Sequence, residues 1–437
     1  MNKLYYLMLL VLGFGGSLMA QTYNVQDFGA VANDGKMDTP AIQAAIDHCH
    51  EAGGGEVWVP AGTFDIGSLR LRDYVYLHLS PAARLVGSTR QVDYPDSAYP
   101  HLIFADSVTH TGILGRGAID GQGLAFFDQT KTNWKPLGWR PRPWILFQHC
   151  SQVEVKDVQL LNSPAHVLVM QQTDDVIISG VTIINDPRSP NTDGIDIKGG
   201  ARIRISDCYI ETGDDAICLK SSQDTIRDLS VNNCVLKSDD AALKFGTGSR
   251  HLITDCHFRN IDIYDTRYGI AFFMSQGGTF SSSSFQNINI RTGGRHNYTF
   301  PIFMDNERRD STYTNGQIEN IRFANLYIES SGNILITGQT DAHLRHLHFE
   351  DIDWILPSIY PITKRKRHKP RGNKTYTSDP SAVDLANVNA HFVFGYVEGL
   401  RLDRVQLFPA SKEVAAQDDR QILYEEVVTR LVGQRVE

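Results

Sequence analysis

The sequence predicts an all-β solenoid, a parallel β-helix with a short N-terminal capping helix, and three observations carry that expectation. The first is a six-residue motif (apolar, any, polar or Gly, apolar, any, apolar) that recurs along most of the chain. It reads VKDVQL from Val155, ISGVTI from Ile178, ISDCYI from Ile205, VNNCVL from Val231, ITDCHF from Ile253, FQNINI from Phe285, FANLYI from Phe323, FEDIDW from Phe349 and LDRVQL from Leu402. The second is the spacing of the first five copies, about 22 to 27 residues, which is the length of one solenoid coil. The third is the alternation of β-branched and aromatic residues bounded by Gly, Asn, Asp and Ser, the mark of short strands between turns. Leucine-rich repeats share the period, but their fixed Leu and Asn ladder is absent. Coils that stack put equivalent side chains in columns. Cys208, Cys234 and Cys256 share a motif position and are expected to stack inward as small apolar groups.

The elements follow in chain order. Residues 1–20 carry Lys3, an apolar run from Leu4 to Phe14 and small residues before Gln21, the pattern of a secretory signal peptide cut after Ala20. A retained anchor is the competing reading, but the run is shorter than the roughly 20 residues a span needs. The remainder, 21–437, reads as one exported solenoid domain with no other candidate span. Asp38-Thr39-Pro40 ahead of AIQAAIDHCHEA, with Gly53-Gly54-Gly55 behind, are helix start and stop signals. Ile42, Ala45, Ile46 and Cys49 mark the apolar face, expected to cover the open end of the coil stack. The basic run Lys364–Arg371 reads as an exposed loop, with an acidic polymer as its alternative partner. Six cysteines are too few for a disulfide scaffold in a chain of 437 residues, and none has metal-ligand spacing. Lys plus Arg at 42 against Asp plus Glu at 50 give a net charge of −8, which speaks against a nucleic-acid partner.

Chemistry concentrates on three successive coils. They read Asn191-Thr192-Asp193-Gly194-Ile195-Asp196-Ile197-Lys198, Gly213-Asp214-Asp215-Ala216-Ile217-Cys218-Leu219-Lys220 and Ser238-Asp239-Asp240-Ala241-Ala242-Leu243-Lys244. Stacking puts Asp193 beside Asp215, one strand spacing of roughly 4.8 Å away, with Asp214 adjacent in sequence. Crowded carboxylates repel, so one holds a proton near neutral pH while another stays ionised. That split supplies an acid and a base, as cleavage of a glycosidic bond requires. Two other readings stay open from the residues alone: Asp and Asn closing turns, and an oxygen-rich calcium site.

With these residues the chain resembles glycoside hydrolase family 28, the polygalacturonase family. FGAVANDGKMDTPAIQAAID, GGGEVWVPAGTF, GRGAIDGQG, RPWILFQHC, LLNSP, PNTDGIDI and GDDAICLKS carry the resemblance over nearly the whole chain after residue 20. It implies a right-handed parallel β-helix and hydrolysis with inversion. Asp214 would be the general acid, Asp193 with Asp215 would hold the water as general base, Asn191 would orient the site, and Lys220 matches the Lys that follows Gly-Asp-Asp. An inverting pair is expected roughly 6.5–9.5 Å apart. The family's Gly-His-Gly and Arg-Ile-Lys motifs are altered: Ala241 stands for the His, and Gly269-Ile270-Ala271-Phe272-Phe273 lacks both bases. Phe272 and Phe273 are candidates to stack on a sugar. Lys244, Arg250, Arg267, Arg308 and Arg309 are candidates to replace the missing cations. His166, Asp239 and Asp240 are further cleft candidates, and Trp134, Trp139 and Trp144 form either a wall beside the site or core.

The expectation is an inverting glycoside hydrolase of a pectin-type polysaccharide or oligosaccharide, weak on plain homogalacturonan, working as a monomer with no cofactor and no metal. The alternatives are a polysaccharide lyase on the same fold and a non-catalytic glycan-binding β-helix.

Overall fold

The computed structural model describes residues 21–96, 100–296, 299–339, 341–359 and 390–418, together with the backbone of 421–425 and 428–429. The expected signal peptide and the basic run at 364–371 lie outside the described residues. Two parallel sheets run the length of the molecule, one of 20 strands and one of 12, and among the described residues a small antiparallel hairpin, Phe127–Asp128 with Lys135–Pro136, stands apart. The smaller sheet stacks Ile145–Gln148, Leu168–Gln171, Ile195–Lys198, Ile217–Leu219, Ala241–Phe245, Tyr268–Phe273 and Phe300–Asp305 in chain order. This is the expected parallel β-helix.

The motif marks a corner of each coil. Its first residues pair rung upon rung, Val155 with Ile178, Ile205, Val231, Phe258, Phe285, Phe323, Phe349 and Leu402 in turn. Its third residue turns the chain in the left-handed conformation: Asp157, Gly180, Asp207, Asn233, Asn260, Asn287, Asn325, Asp351 and Arg404 have φ between 52 and 65°. Asn, Asp and Gly tolerate that region, which explains the polar-or-Gly slot. Asn260 Nδ2 donates to Asn232 Oδ1 (2.9 Å), Asn287 to Asn260 (3.1 Å) and Asn325 to Asn287 (2.9 Å), a ladder along the corner.

One copy is corrected. ITDCHF from Ile253 is out of register, because Val231 pairs with Phe258 and the true copy is FRNIDI. Each coil turns a second left-handed corner shortly before the motif, and Asp255 (φ 52°) belongs to that one, so the string imitates the pattern. Cys256 therefore pairs with Leu229, whereas Cys234 pairs with Ile261. The expected three-cysteine column is broken, although all three side chains are buried in the core. From Phe258 to Phe349 the first slot is aromatic and the rings stack, Phe258 on Phe285 (4.8 Å), Phe285 on Phe323 (5.0 Å) and Phe323 on Phe349 (4.8 Å). Such pairs contribute about 0.5–1.5 kcal/mol each beyond burial.

The helix spans Thr39–Glu51, buries Ile42, Ala45, Ile46 and Cys49, and packs on the strands Gly55–Val59, Leu69–Arg70 and Val75–Leu79. The side chains expected to cap it do other work. Asp38 Oδ1 accepts from the Val31 amide (2.9 Å) and Thr39 Oγ1 from the Gly67 amide (2.7 Å), tying the helix to the first coils.

Candidate active site

The site is built where the chain enters three neighbouring strands of the smaller sheet. Backbone bonds from Gly194 N to Asp215 O (2.8 Å) and from Ala216 N to Ala241 O (2.9 Å) lock the entries of Ile195–Lys198, Ile217–Leu219 and Ala241–Phe245 in step. Gly213 is required by close approach, since a Cβ there would meet Ser189 O at 2.2 Å. Thr212 Oγ1 (2.6 Å) and Ser238 Oγ (2.7 Å) both donate to the Asp214 carbonyl and fix the bend that carries the Asp214-Asp215 doublet.

Above these entries lies an open cleft of about 270 Å³, lined by Arg142, His166, Asn191, Asp193, Asp214, Asp215, Lys220, Asp240, Lys244, Thr247, Phe273 and Arg309. The carboxylates come together as stacking implied: Asp193 and Asp215 have oxygens within 4.8 Å of each other, and so do Asp214, Asp215 and Asp240. The Asp214–Asp215 approach is closer than the 6.5–9.5 Å expected of an inverting pair, because the two are sequence neighbours on one tight bend.

Each carboxylate has its own partner. Lys220 Nζ donates to Asp193 (2.7 Å) and to Asp196 (3.0 Å). Lys244 Nζ donates to both oxygens of Asp215 (3.0 and 2.8 Å) and lies 3.6 Å from Asp240. Asp214 Oδ2 accepts from the backbone amide of Asn191 (3.2 Å) and from its Nδ2 (3.4 Å). These surroundings separate the groups. Burial works to raise Asp193, but the Lys220 ammonium beside it, helped by His166 and Lys244, holds it well below the ordinary carboxylate range. Burial also raises Asp215, Lys244 opposes it, and Asp214, Asp193 and Asp240 add to the rise, so Asp215 ends well above the ordinary range. Burial pushes His166 down to about 4 against the pull of Asp193 and Asp196, leaving a neutral imidazole at pH 7. Both lysines are held well above their ordinary value, burial being outweighed by Asp193 and Asp196 for Lys220 and by Asp215 and Asp240 for Lys244. Lys220 and Lys244 engage oxygens of Asp193, Asp196 and Asp215 for which a bound cation would compete.

Ten of the sequence candidates line the cleft: Asp193, Asp214, Asp215, Asn191, Lys220, Lys244, Asp240, His166, Phe273 and Arg309. Asp239 and Arg267 do not. Asp239 turns to a separate cavity of about 180 Å³ on the flank, beside Arg295 (3.4 Å) and His296 (3.5 Å). Arg267 backs the wall, 3.5 Å from Asp240 and over the Tyr268 ring. Of the other candidate cations Arg309 lines the cleft, while Arg250 packs over Tyr313. Phe272 points inward and stacks on Phe245 at 4.3 Å, so strand alternation leaves Phe273 alone for the cleft. Trp144 is core and Trp134 is buried under Arg188. Trp139 packs against Tyr94, so none of the three walls the cleft.

Sequence reasoning missed Arg140, Arg142 and Asp196. Asp196 was legible, since it shares a strand face with Lys198, to which it pairs at 3.2 Å. The two arginines come from a loop far away in sequence, flagged only by the Trp-Arg-Pro-Arg-Pro string.

Known proteins agree with this architecture. A "Probable polygalacturonase" of Vitis vinifera is 32% identical over 228 residues, 48% of this chain and 46% of its own length. A "Polygalacturonase" of Chamaecyparis obtusa is 32% identical over 290 residues, 62% of this chain and 54% of its own length. The chain thus spans about half the length of these relatives. The solved family 28 exopolygalacturonase of Yersinia enterocolitica superposes with a TM-score of 0.72 at 20% identity, covering 96% of this chain and 79% of the other, a likeness of fold. The family model described as "Glycosyl hydrolases family 28" matches residues 49–354, taking in the helix end, most of the coil stack and every carboxylate of the cleft, and the chain belongs to that family.

Proposed function

We propose that the protein hydrolyses a glycosidic bond in a pectin-type polysaccharide or oligosaccharide by single displacement. The observation that carries this reading is the meeting of Asp193, Asp214 and Asp215 in one open cleft, each with a different partner. Asp214, which faces the Asn191 amide, gives its proton to the departing sugar oxygen, a role that rests on family membership. Asp193 and Asp215, each on an ammonium, hold the water; its oxygen attacks the anomeric carbon and its proton passes to the pair. Inversion rests on family membership, since the spacing of Asp214 and Asp215 does not indicate it. Export belongs to the same proposal and rests on the sequence of residues 1–20.

The two family bases are replaced by Ala271, buried, and Phe273, at the cleft wall. A galacturonate carboxylate brought there would be desolvated beside an aromatic ring. Digestion of homogalacturonan, rhamnogalacturonan fragments and neutral pectic side chains, with products identified, is therefore expected to show weak or absent turnover of homogalacturonan and release of reducing ends from another member of the panel. Asp214→Asn should lower that release by roughly 10²–10⁴-fold, the usual share of a general acid. Wild-type release from Asp214→Asn would remove Asp214 from its role, and a calcium-dependent gain in ultraviolet absorbance of the products would replace hydrolysis by elimination.

A further inference from the structure

We infer that Arg140 is a positioning residue for this reaction, acting through Asn191 on Asp214; the inference rests on the proposed acid role of Asp214. Arg140 is 9% exposed and sits on the loop between the small hairpin and the strand Ile145–Gln148. Its Nη1 donates to the carbonyls of Pro164 (2.6 Å) and Pro190 (2.9 Å), and its Nη2 donates to Asn191 Oδ1 (3.0 Å). The guanidinium carbon lies 5.6 Å from the centre of the Phe127 ring. Burial and the neighbouring Arg142 lower it to about 10, Asp193 and Asp214 pull the other way, and it remains a cation at neutral pH.

A guanidinium has donors and no acceptor. Asn191 must therefore turn its carbonyl oxygen to Arg140, which leaves its NH₂ facing Asp214, as the 3.4 Å contact shows. The opposite amide orientation would set donor against donor at Arg140 and oxygen against oxygen at Asp214. The same fork grips the Pro190 carbonyl immediately before Asn191, so the backbone amide that donates to Asp214 is fixed too. Arg140 thus holds two donors on one carboxyl without touching it. Lysine offers a point charge in place of a planar fork and cannot reach all three oxygens in one geometry.

The test is a double-mutant cycle of Arg140→Met, Asn191→Ala and the pair, assayed by reducing-end release from homogalacturonan and from rhamnogalacturonan oligosaccharides, with a crystal structure of Arg140→Met. Arg140→Met is expected to lower kcat by roughly 10- to 100-fold, the scale of a misplaced catalytic group, with KM within about two-fold. Arg140→Lys should recover only part of the loss. The double variant should be no slower than Asn191→Ala alone, as befits two residues acting as one unit. Losses that multiply in the double variant would overturn the inference. In the crystal the Asn191 amide should have swung off Asp214; an unmoved amide overturns the inference whatever the kinetics. Should Arg140→Met fail to fold by thermal melt, Arg140→Lys replaces it in the cycle and in the crystal. If wild type cleaves neither polymer, the hydrolase reading fails on those substrates, and the position of the Asn191 amide still decides the case of Arg140.

Discussion

The ammonium of Lys244 bridges Asp215 and Asp240 and lies 5.2 Å from the centre of the Phe273 ring, so it stands where a substrate cation-binder and a regulator of the base would both be placed. The geometry favours the second role, because both oxygens of Asp215 are engaged. The proposed base must be ionised to accept the proton of water, so the acid limb of kcat/KM against pH follows its ionisation. Lys244 draws that ionisation to lower pH. Lys244→Met removes the pull; the acid limb should move to higher pH and kcat should fall, while Lys244→Arg keeps the limb in place. A pH-rate profile with an unmoved limb and a raised KM would instead make Lys244 a ligand of the substrate. At this scale the acid residues were readable because Asn-Thr-Asp and Gly-Asp-Asp are local strings repeated in register. Arg140 was not, because its contact with Asn191 joins residues 51 positions apart through a loop that no periodicity governs. Phe272 was misjudged for a simpler reason: adjacent strand residues face opposite ways, so only one of the two phenylalanines was ever available to the cleft.

The strand-and-corner unit was the most legible element, and its one misreading has a physical source. Two corners per coil demand the same left-handed residue, so Asp255 and Asn260 fit the same pattern. Register resolves them, since only Phe258 continues the ring stack to Phe285. The corner also sets a stability expectation. Asn260→Ala deletes the rungs to Asn232 and Asn287 and leaves at φ 55° a residue without the short polar side chain that lets Asn visit this region. Asn260→Gly keeps the conformation accessible and loses only the ladder. Melting temperatures should therefore fall in the order wild type, Gly, Ala; an Ala variant as stable as Gly would show that the ladder and not the backbone conformation matters.

For the whole molecule, stability is close to a sum over neighbouring coils, and the ends are the weak points. The helix Thr39–Glu51 shields the first coil with Ile42 and Ile46, both completely buried. Ile46→Asp places an unpaired charge on that seam, a burial costing several kcal/mol. It should lift the helix and expose strand edges, seen as a lower melting temperature and as growth of large species in light scattering. Retention of a single small species with an unchanged melt would show that the first coil needs no cover. The asparagine corner has a wider consequence. Each corner fixes where a rung begins and leaves the chain free on the way to the next, and lengthening a surface excursion adds little closure entropy. The molecule thus keeps its proposed acid and base on an invariant ruler while its rim is open to revision, so residues can be spliced between marks without moving the carboxylates of the cleft.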